Sequence, residues 1–502
     1  MGFWNRLNPF RTRREAPLFE MKRRDREAAP DKGEILRRWE AAETNRLNQA
    51  HWAKSANLGL DTINADLYLR LNMLRARSTF EAENNPYVAG VIETHQTDVV
   101  GKDGPKLQVQ SDDESWNNEA EQIWNEWFAR PELTGLMSGV EVLRLWIRML
   151  WTCGESLDQI VTDPAVRNGV AMRLNCLHPS RLDTPPGQSS DPDLVLGIGR
   201  TRQGKPLRYW ISEQSSYGPY VLTGLNYSPV EAQYILHQYR IQEPGQARGV
   251  PWLACALQPI ADLRDYDTQV MDAARGAANY AAFMYADHPD APYFQVNEVS
   301  DIERGTLSTI PPGWKLDGLD PPQPSTTYTE YRKERQREIG RPVNMPLMTV
   351  RLGSEDHNYS SARFDGKVYE CSLSGLQSWI DRNALKRLFA MLVREAILAN
   401  LIGPPPKKYD LTWGWPKPPH VDPEKEWIGY ETAVAMGGMD MSDVAAQTGT
   451  DLETLIAKRV RTRDLLAKHG LPPAPYWVPG KQAMKQEPAK QESKSAEKEA
   501  AA

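Results

Sequence analysis

Apolar residues recur at three- and four-residue steps through much of the chain, the spacing that gathers them on one face of a helix. The longest such run carries Phe364, Val368, Cys371, Leu376, Trp379, Ile380, Leu388, Leu392 and Ile397. Ser360 or Ser361 is placed to cap its start, and Gly403-Pro-Pro-Pro406 stops it. At 1.5 Å per residue such a helix spans about 60 Å. Gly366 and Gly375 each cost roughly 1 kcal/mol against Ala, so a kink is expected near one of them. Three shorter helices come earlier. Asn85-Pro-Tyr87 leads into Val88, Val91, Ile92, Val99 and Val100, closed by Gly101. Ile123, Trp124, Trp127 and Phe128 mark the second, stopped at Pro131, and Val140, Leu143, Trp146, Ile147 and Leu150 the third, with Gly154 as its end signal.

Between 155 and 240 the pattern shortens to strands and turns. Ala171 to Leu177 alternates, 194–211 reads as a hairpin around Gln203-Gly204, and Tyr234 to Tyr239 as another strand. This is an α+β arrangement rather than a run of βαβ units, which disfavours a doubly wound nucleotide fold. Gln246-Ala-Arg-Gly-Val-Pro-Trp252 introduces a second long helix over roughly 252–285, with Leu253, Leu257, Ile260, Leu263, Val270 and Ala274 as its buried stripe. Pro259 should bend it or delay its start. A Pro- and Gly-rich insert over 287–325 separates it from a densely charged helix at Tyr328–Ile339. Gly340 to Gly353 is interrupted by Pro342 and Pro346 and cannot be helix throughout. It is either a buried connection or an exposed apolar loop that moves. After Pro406, Leu411 to Trp415 reads as a strand, Asp422-Pro-Glu-Lys-Glu426 as a helix start, and 442–449 with 451–470 as a small helical end domain.

Composition adds mainly exclusions. The 502 residues allow several domains, and a net charge of −6 is unlike a simple electrostatic nucleic-acid binder. The 38 prolines and 16 tryptophans predict many fixed turns and anchored aromatic packing. Cys153, Cys176, Cys255 and Cys371 are too far apart for a Cys-x-x-Cys pair, so a disulfide or zinc framework is not expected and a reducing compartment fits. No signal peptide, membrane span or myristoylation pattern is visible, and no membrane partner is expected. The basic stretch 1–57 reads as a mobile tail or as an arm that contacts nucleic acid or an acidic partner, and 481–502 as low-complexity and disordered. No Walker loop, His-Glu-x-x-His or Gly-x-Ser-x-Gly motif occurs. Asp262, Asp265 and Asp267 read as a solvated acidic helix face rather than a metal cluster, and His237 as a core or turn histidine rather than a base. No active site, cofactor or metal is expected.

Taken in order, several motifs resemble the lambda-type portal proteins of tailed bacteriophages. They are Asn85-Pro-Tyr87 with Val99-Val-Gly101; Leu107-Gln108; His237; Gln246-Ala-Arg248-Gly249-Val-Pro251; Ile310-Pro-Pro-Gly313; Asn358-Tyr359-Ser360-Ser361-Ala-Arg363; Trp413 to Pro416; Asp422-Pro423 with Lys425-Glu426; and Gly449-x-Asp451. The resemblance implies a non-catalytic head-tail connector, a ring typically of twelve subunits at one capsid vertex, through which double-stranded DNA is packaged and ejected. It divides the chain into a basic arm (1–57), a wing (58–250 and 359–425, the latter holding the long helix) and two stem helices (251–286 and 327–341). A clip (287–326), a tunnel loop (342–358), a crown (426–478) and a tail (479–502) complete it.

The implied partners are further copies of the chain, duplex DNA held without sequence preference, the terminase large subunit, a capsid or scaffold protein and the head-tail adaptor. The implied places are the virion and, during assembly, the host cytoplasm. Arg341, Val343, Met345, Leu347, Met348 and Arg351 are the expected DNA-facing residues, and Asp262, Asp265, Asp272, Glu330, Glu334 and Glu338 the channel-facing candidates of the stem. One departure is that relatives carry a compact Gly-hydrophobic-Pro turn where this chain reads Gly340-Arg-Pro-Val-Asn-Met-Pro346, which leaves the limits of the tunnel loop open. Six negative charges in each of twelve copies total about −72 before screening, so an acidic channel that avoids gripping phosphates is expected. Two other readings are a metal-dependent nuclease built on Asp262 and Asp265, and a monomeric capsid-associated adaptor.

Overall fold

The computed structural model describes residues 63–166, 169–188, 191–213, 226–278, 282–286, 314–318, 328–353, 355, 358–416, 423–442, 444 and 452–470. The chain divides into Met1–Thr62 and Ile63–Ala502. The expected arm and tail, most of the insert and most of the helix at 442–449 lie outside the described residues.

The chain opens with α1 (Ile63–Asn84) and α2 (Pro86–Val100). Asn85 caps α2 by accepting from the Tyr87 and Val88 amides, and the expected stripe of valines is buried. β1 (Lys106–Gln110), α3 (Glu114–Phe128) and α4 (Gly139–Thr152) come next, α4 opened by a reciprocal cap between Ser138 and Glu141. β2 (Glu155–Thr162), β3 (Met172–Leu177), β4 (Leu194–Val195), β5 (Ile198–Arg200), β6 (Pro206–Ser212), β7 (Tyr227–Glu231) and β8 (Ile235–Tyr239) make two antiparallel sheets, ordered β3-β2-β8 and β4-β5-β6-β7. The expected hairpin is the β5–β6 turn. With no parallel crossover in either sheet, the mixed helix-and-sheet class stands as read.

α5 (Leu257–Ala278) begins after one 3-10 turn at Trp252–Cys255. Pro259 falls in its first turn, where its missing N–H is harmless, so it delays the helix rather than bending it. The helix is shorter than the expected 252–285, because Tyr285 belongs to β9 (Ala282–Ala286), paired with β10 (Trp314–Gly318). α6 (Tyr328–Gly340), a 3-10 turn at Arg341–Val343 and α7 (Leu347–Arg351) lead into α8 (Tyr359–Ile380), a π-helical turn at Asp381–Leu385 and α9 (Lys386–Leu398). β11 (Asp410–Gly414) pairs with β1, and α10 (Pro423–Ala435) and α11 (Leu452–Lys468) close the described chain.

Two details of the long helix differ from expectation. Its cap is Asn358, whose side chain accepts from the Ser361 amide while its own amide donates to Ser361 Oγ, so the serines answer the cap rather than supply it. Gly366 and Gly375 sit inside regular helix, and the irregularity falls at Asp381–Leu385. An inserted π residue rotates the remainder of a helix by about 100°. Leu373, Leu376 and Ile380 before it and Leu385, Leu388, Phe389 and Leu392 after it are thereby all buried.

One cluster joins α2, α3, α4, α8 and α9, with Trp124 touching Trp127, Phe128, Phe389 and Trp413 at ring separations of 5.3–6.1 Å. This is the aromatic anchoring the composition predicted. A smaller cluster holds Leu157, Leu177, Leu182, Ile198, Tyr209, Ile211 and Ile235 between the sheets.

Candidate functional site at the root of the helix pair

α5 leaves the core and α6 returns to it. Ile260 and Leu263 are buried, but Val270 is half-buried and Ala274 exposed, so the expected stripe ends about two turns into the helix. Beyond that point α5 touches α1 through Arg264, and farther along its described ring and ion-pair contacts to other elements are with α6. Tyr266 packs on Tyr328 and Tyr331 at 5.9 and 4.5 Å, Tyr328 donates to Asp267 at 3.0 Å, and Arg332 reaches the same carboxylate at 3.5 Å. Arg264 ties the base of α5 to Glu81 of α1, and α6 re-enters the core at Gln336, Ile339 and Gly340.

The stem candidates fall on the outside of this pair. Asp262 is half-buried and accepts from Gln258, whereas Asp265, Asp272, Glu330, Glu334 and Glu338 are exposed. Asp272 pairs with Arg275, Glu334 with Arg337 and Glu338 with Arg335, each one helical turn apart. α6 carries four basic residues against three acidic ones, so the acid of the pair is concentrated on α5. Among the described residues no three His, Cys, Asp or Glu side chains could hold a metal together, so Asp262 and Asp265 find no third ligand.

The apolar-loop expectation needs correction. Val343, Met345 and Leu347 are 5%, 3% and 7% exposed, and Val350 is buried beside them. They are core residues and cannot be the free tips of a loop. The segment folds because Gly340 allows a close approach: a Cβ there would stand 2.5 Å from Val350 and 2.8 Å from the Met345 carbonyl. Asn344 takes the left-handed conformation the turn requires and donates to Ser372 on α8 at 2.9 Å. Arg341 is exposed, Met348 half-buried, and Arg351 half-buried with Glu355 at 3.4 Å. The exposed apolar residue is instead Leu352, 83% exposed and left-handed at φ 52°. α7 ends at Arg351 and α8 opens only after Asn358, which leaves Leu352 at the start of the connection between them.

The Gln-x-Arg-Gly-Val-Pro motif proves to be an internal lock. Arg248 is 3% exposed and donates to Glu155 Oε1 from Nε at 2.8 Å and Nη2 at 2.6 Å, and also to the carbonyls of Pro179, Leu182 and Leu196. Arg75 of α1 donates to the same oxygen at 2.6 Å. The other oxygen accepts from the Gly249 amide at 2.7 Å and faces His237 Nε2 at 3.0 Å. Burial alone would raise the Glu155 carboxyl, but Arg248, Arg75 and His237 together hold it well below the usual carboxylate range. Gln246 folds the approach by accepting from the Gln242 and Glu243 amides and donating to the Arg248 carbonyl. Gly249 is required, since a Cβ would lie 2.0 Å from the Gly154 carbonyl oxygen. His237 is a core histidine, as read, edge-on to Tyr209. Of the second motif, Ser360, Ser361 and Arg363 are exposed at the start of α8, and Tyr359 is its first helical residue.

Sequence reasoning missed Glu155 and Arg75, which lie 80 or more positions from their partners and belong to no motif. The lock joins α1, β2, β8 and the segment that launches α5. Its chemistry is positional, because every oxygen of Glu155 is occupied by a donor.

A model of the family described as phage portal protein, lambda family, matches residues 50–366. A probable portal protein of Halomonas phage phiHAP-1 is 22% identical over 457 residues, 83% of this chain and 84% of that protein. Among solved structures, a chain in the neck of an empty GTA particle, computed with C6 symmetry, aligns with a TM-score of 0.47 and 15% identity over 76% of this chain and 94% of its own. The HK97 family phage portal protein from Corynebacterium diphtheriae aligns with a TM-score of 0.31 and 13% identity over 57% of this chain and 82% of its own.

Proposed function

The chain belongs to the lambda family of phage portal proteins, and from that premise we propose that its copies close into a ring, of twelve subunits, around a channel that passes double-stranded DNA. α5 and α6 act as the stem, and the β9–β10 hairpin is the root of the clip that docks the terminase large subunit and then the head-tail adaptor. The sheets with α1–α4, α8 and α9 act as the wing, set against capsid or scaffold protein, and α10 and α11 belong to the crown. The assembly sits at a capsid vertex of the virion and forms in the host cytoplasm. No catalytic step is assigned to it.

The observation that carries this reading is the helix pair itself. It departs from the core after Leu263, returns at Gln336, and exposes charged flanks with a hairpin between its ends. In a ring those flanks face a neighbour on one side and the axis on the other. The DNA-facing part of the loop narrows to Leu352, flanked by Arg341, Met348 and Arg351. Because α6 is itself slightly basic, an acidic channel requires the aspartates of α5 to turn toward the axis.

Mass measurement and electron micrographs of the purified protein test the reading. A large ring with a duplex-sized opening is the expected result, and a particle that stays monomeric or has a closed centre overturns it. Lysine at Asp265 and Asp272 should leave the ring intact and slow DNA passage in a packaging assay.

A further inference from the structure

A cavity of about 340 Å³ lies where the wing, the start of the stem segment and the base of the loop meet. Its walls include Pro342, Val343, Leu376 and Trp379, and its polar groups are mostly donors. At that volume it falls at the lower end of ligand pockets, roughly 300–1,000 Å³.

Each donor can be assigned. His95 is 2% exposed, and its Nδ1 must accept from Trp151 Nε1 at 2.9 Å, since an indole nitrogen only donates. The ring is neutral, burial and the nearby Arg240 pushing its pKa down to about 3, so its proton sits on Nε2. Trp252 is 6% exposed, and its buried Nε1–H has no hydrogen-bond partner among the described residues. The Arg240 guanidinium lies 4.8 Å over the Trp252 ring; the residue is exposed to solvent, and partial burial of its head lowers its pKa. Arg382 comes from the π turn on the far wall.

Among the described residues no Asp or Glu lines the cavity. Of the carboxylates on neighbouring segments, Asp381 accepts from Trp415 Nε1 at 3.0 Å and also feels the charge of the adjacent Arg382, and Asp98 accepts from the Tyr369 hydroxyl at 3.0 Å. Asn344 and Ser372 bond to each other at 2.9 Å. Two solvent-exposed guanidiniums, the His95 N–H and the unpartnered Trp252 Nε1–H therefore border one space that no carboxylate lines, an arrangement suited to an anion.

We propose that this cavity is an oxyanion site that takes a phosphate group, with Arg240 and Arg382 clamping its oxygens and His95 and Trp252 donating from the floor. The site is complete within one chain and so stands apart from the ring reading. A bound phosphate would pin the base of the loop to the start of the stem segment.

Thermal unfolding of the full chain in rising inorganic phosphate, against sodium chloride at equal ionic strength, tests it. A saturable rise in Tm is expected, reduced in Arg382→Gln, absent in Arg240→Gln/Arg382→Gln, and kept in Arg202→Gln on the exposed β5–β6 turn. If the double variant does not fold, Arg382→Glu alone must abolish the rise. A short duplex that competes with phosphate in the wild type identifies a nucleic-acid backbone as the source, and a duplex that does not compete identifies the free ion. No saturable rise, or an equal rise in the double variant, overturns the proposal. So does an unchanged phosphate response joined to a loss of self-association, which would assign the cavity to a carboxylate of a second copy.

Discussion

The sheet-and-helix body and the α5–α6 pair use the same side chains to opposite ends. In the body, Glu155 is 0% exposed and joins Arg75, Arg248, His237 and the Gly249 amide, partners up to 94 residues away. On the α5–α6 pair, Glu334–Arg337 and Asp272–Arg275 are local pairs with side chains more than half exposed. Water screens the second kind, so it decorates a surface and leaves it free to meet something else. The first kind has been taken out of water and holds the fold only while every member is present. The pairs that specify the molecule are thus the ones no local pattern announces.

The largest effect that would sharpen this contrast is at Glu155. Glu155→Gln leaves Arg75 and Arg248 buried without a counter-charge and should cost about 3–5 kcal/mol in urea unfolding, or prevent soluble accumulation altogether. A loss as small as that of a surface pair would break the comparison.

Next comes Asp158, three residues along β2, 1% exposed and facing Cys176 across the sheet. Burial raises its carboxyl to about 7, and its Oδ2 has no hydrogen-bond partner among the described residues. The folded state holds this proton more tightly than the unfolded chain does. Stability should therefore fall as pH rises from about 4 to about 7, by up to about 1.4 kcal/mol per unit. Glu155 has the opposite sign: its depressed pKa contributes stability above the ordinary value of 4.5 that is lost as pH drops below it. Asp158→Asn should flatten the profile between pH 4 and 7 without altering the acid limb. An unchanged slope would show that Asp158 is not its source.

Gly249→Ala comes third. Its Cβ would collide with backbone at 2.0 Å, which cannot swing aside like a side chain, and should cost about 1–3 kcal/mol in thermal unfolding. The smallest change is Arg337→Ala on α6, within about 0.5 kcal/mol, with melting curves overlaying those of the unaltered chain.

Much of the helical framework was legible because it is written locally. Asn85, Gly101 and Gly154 punctuate helices whose apolar stripes repeat at helical spacing, and the packing obeyed those stripes as far as Leu263. β2 was less legible as a strand. It is the central strand of its sheet, and Glu155, Ser156 and Asp158 are buried together with Leu157, so the alternation that marks a half-exposed strand is missing. The candidate site divides in the same way. The charged flanks of α5 and α6 could be placed on the surface from periodicity. The apolar residues after Gly340 could not, since Met345 and Leu347 have the composition of an exposed loop and the burial of a core.

By itself the sequence determined most of the helices, the ends of α2 at Asn85 and Gly101, the α+β class and the order of motifs that identifies the family, because each rests on residues a few positions apart. The tertiary structure alone decided that the motif at Gln246–Pro251 is an internal lock, that Val343, Met345 and Leu347 are core residues, and that Arg240 and Arg382 line one cavity. Those outcomes depend on which distant groups share a low-dielectric space, and burial sets the sign and size of a charge's contribution only after the chain has closed around it.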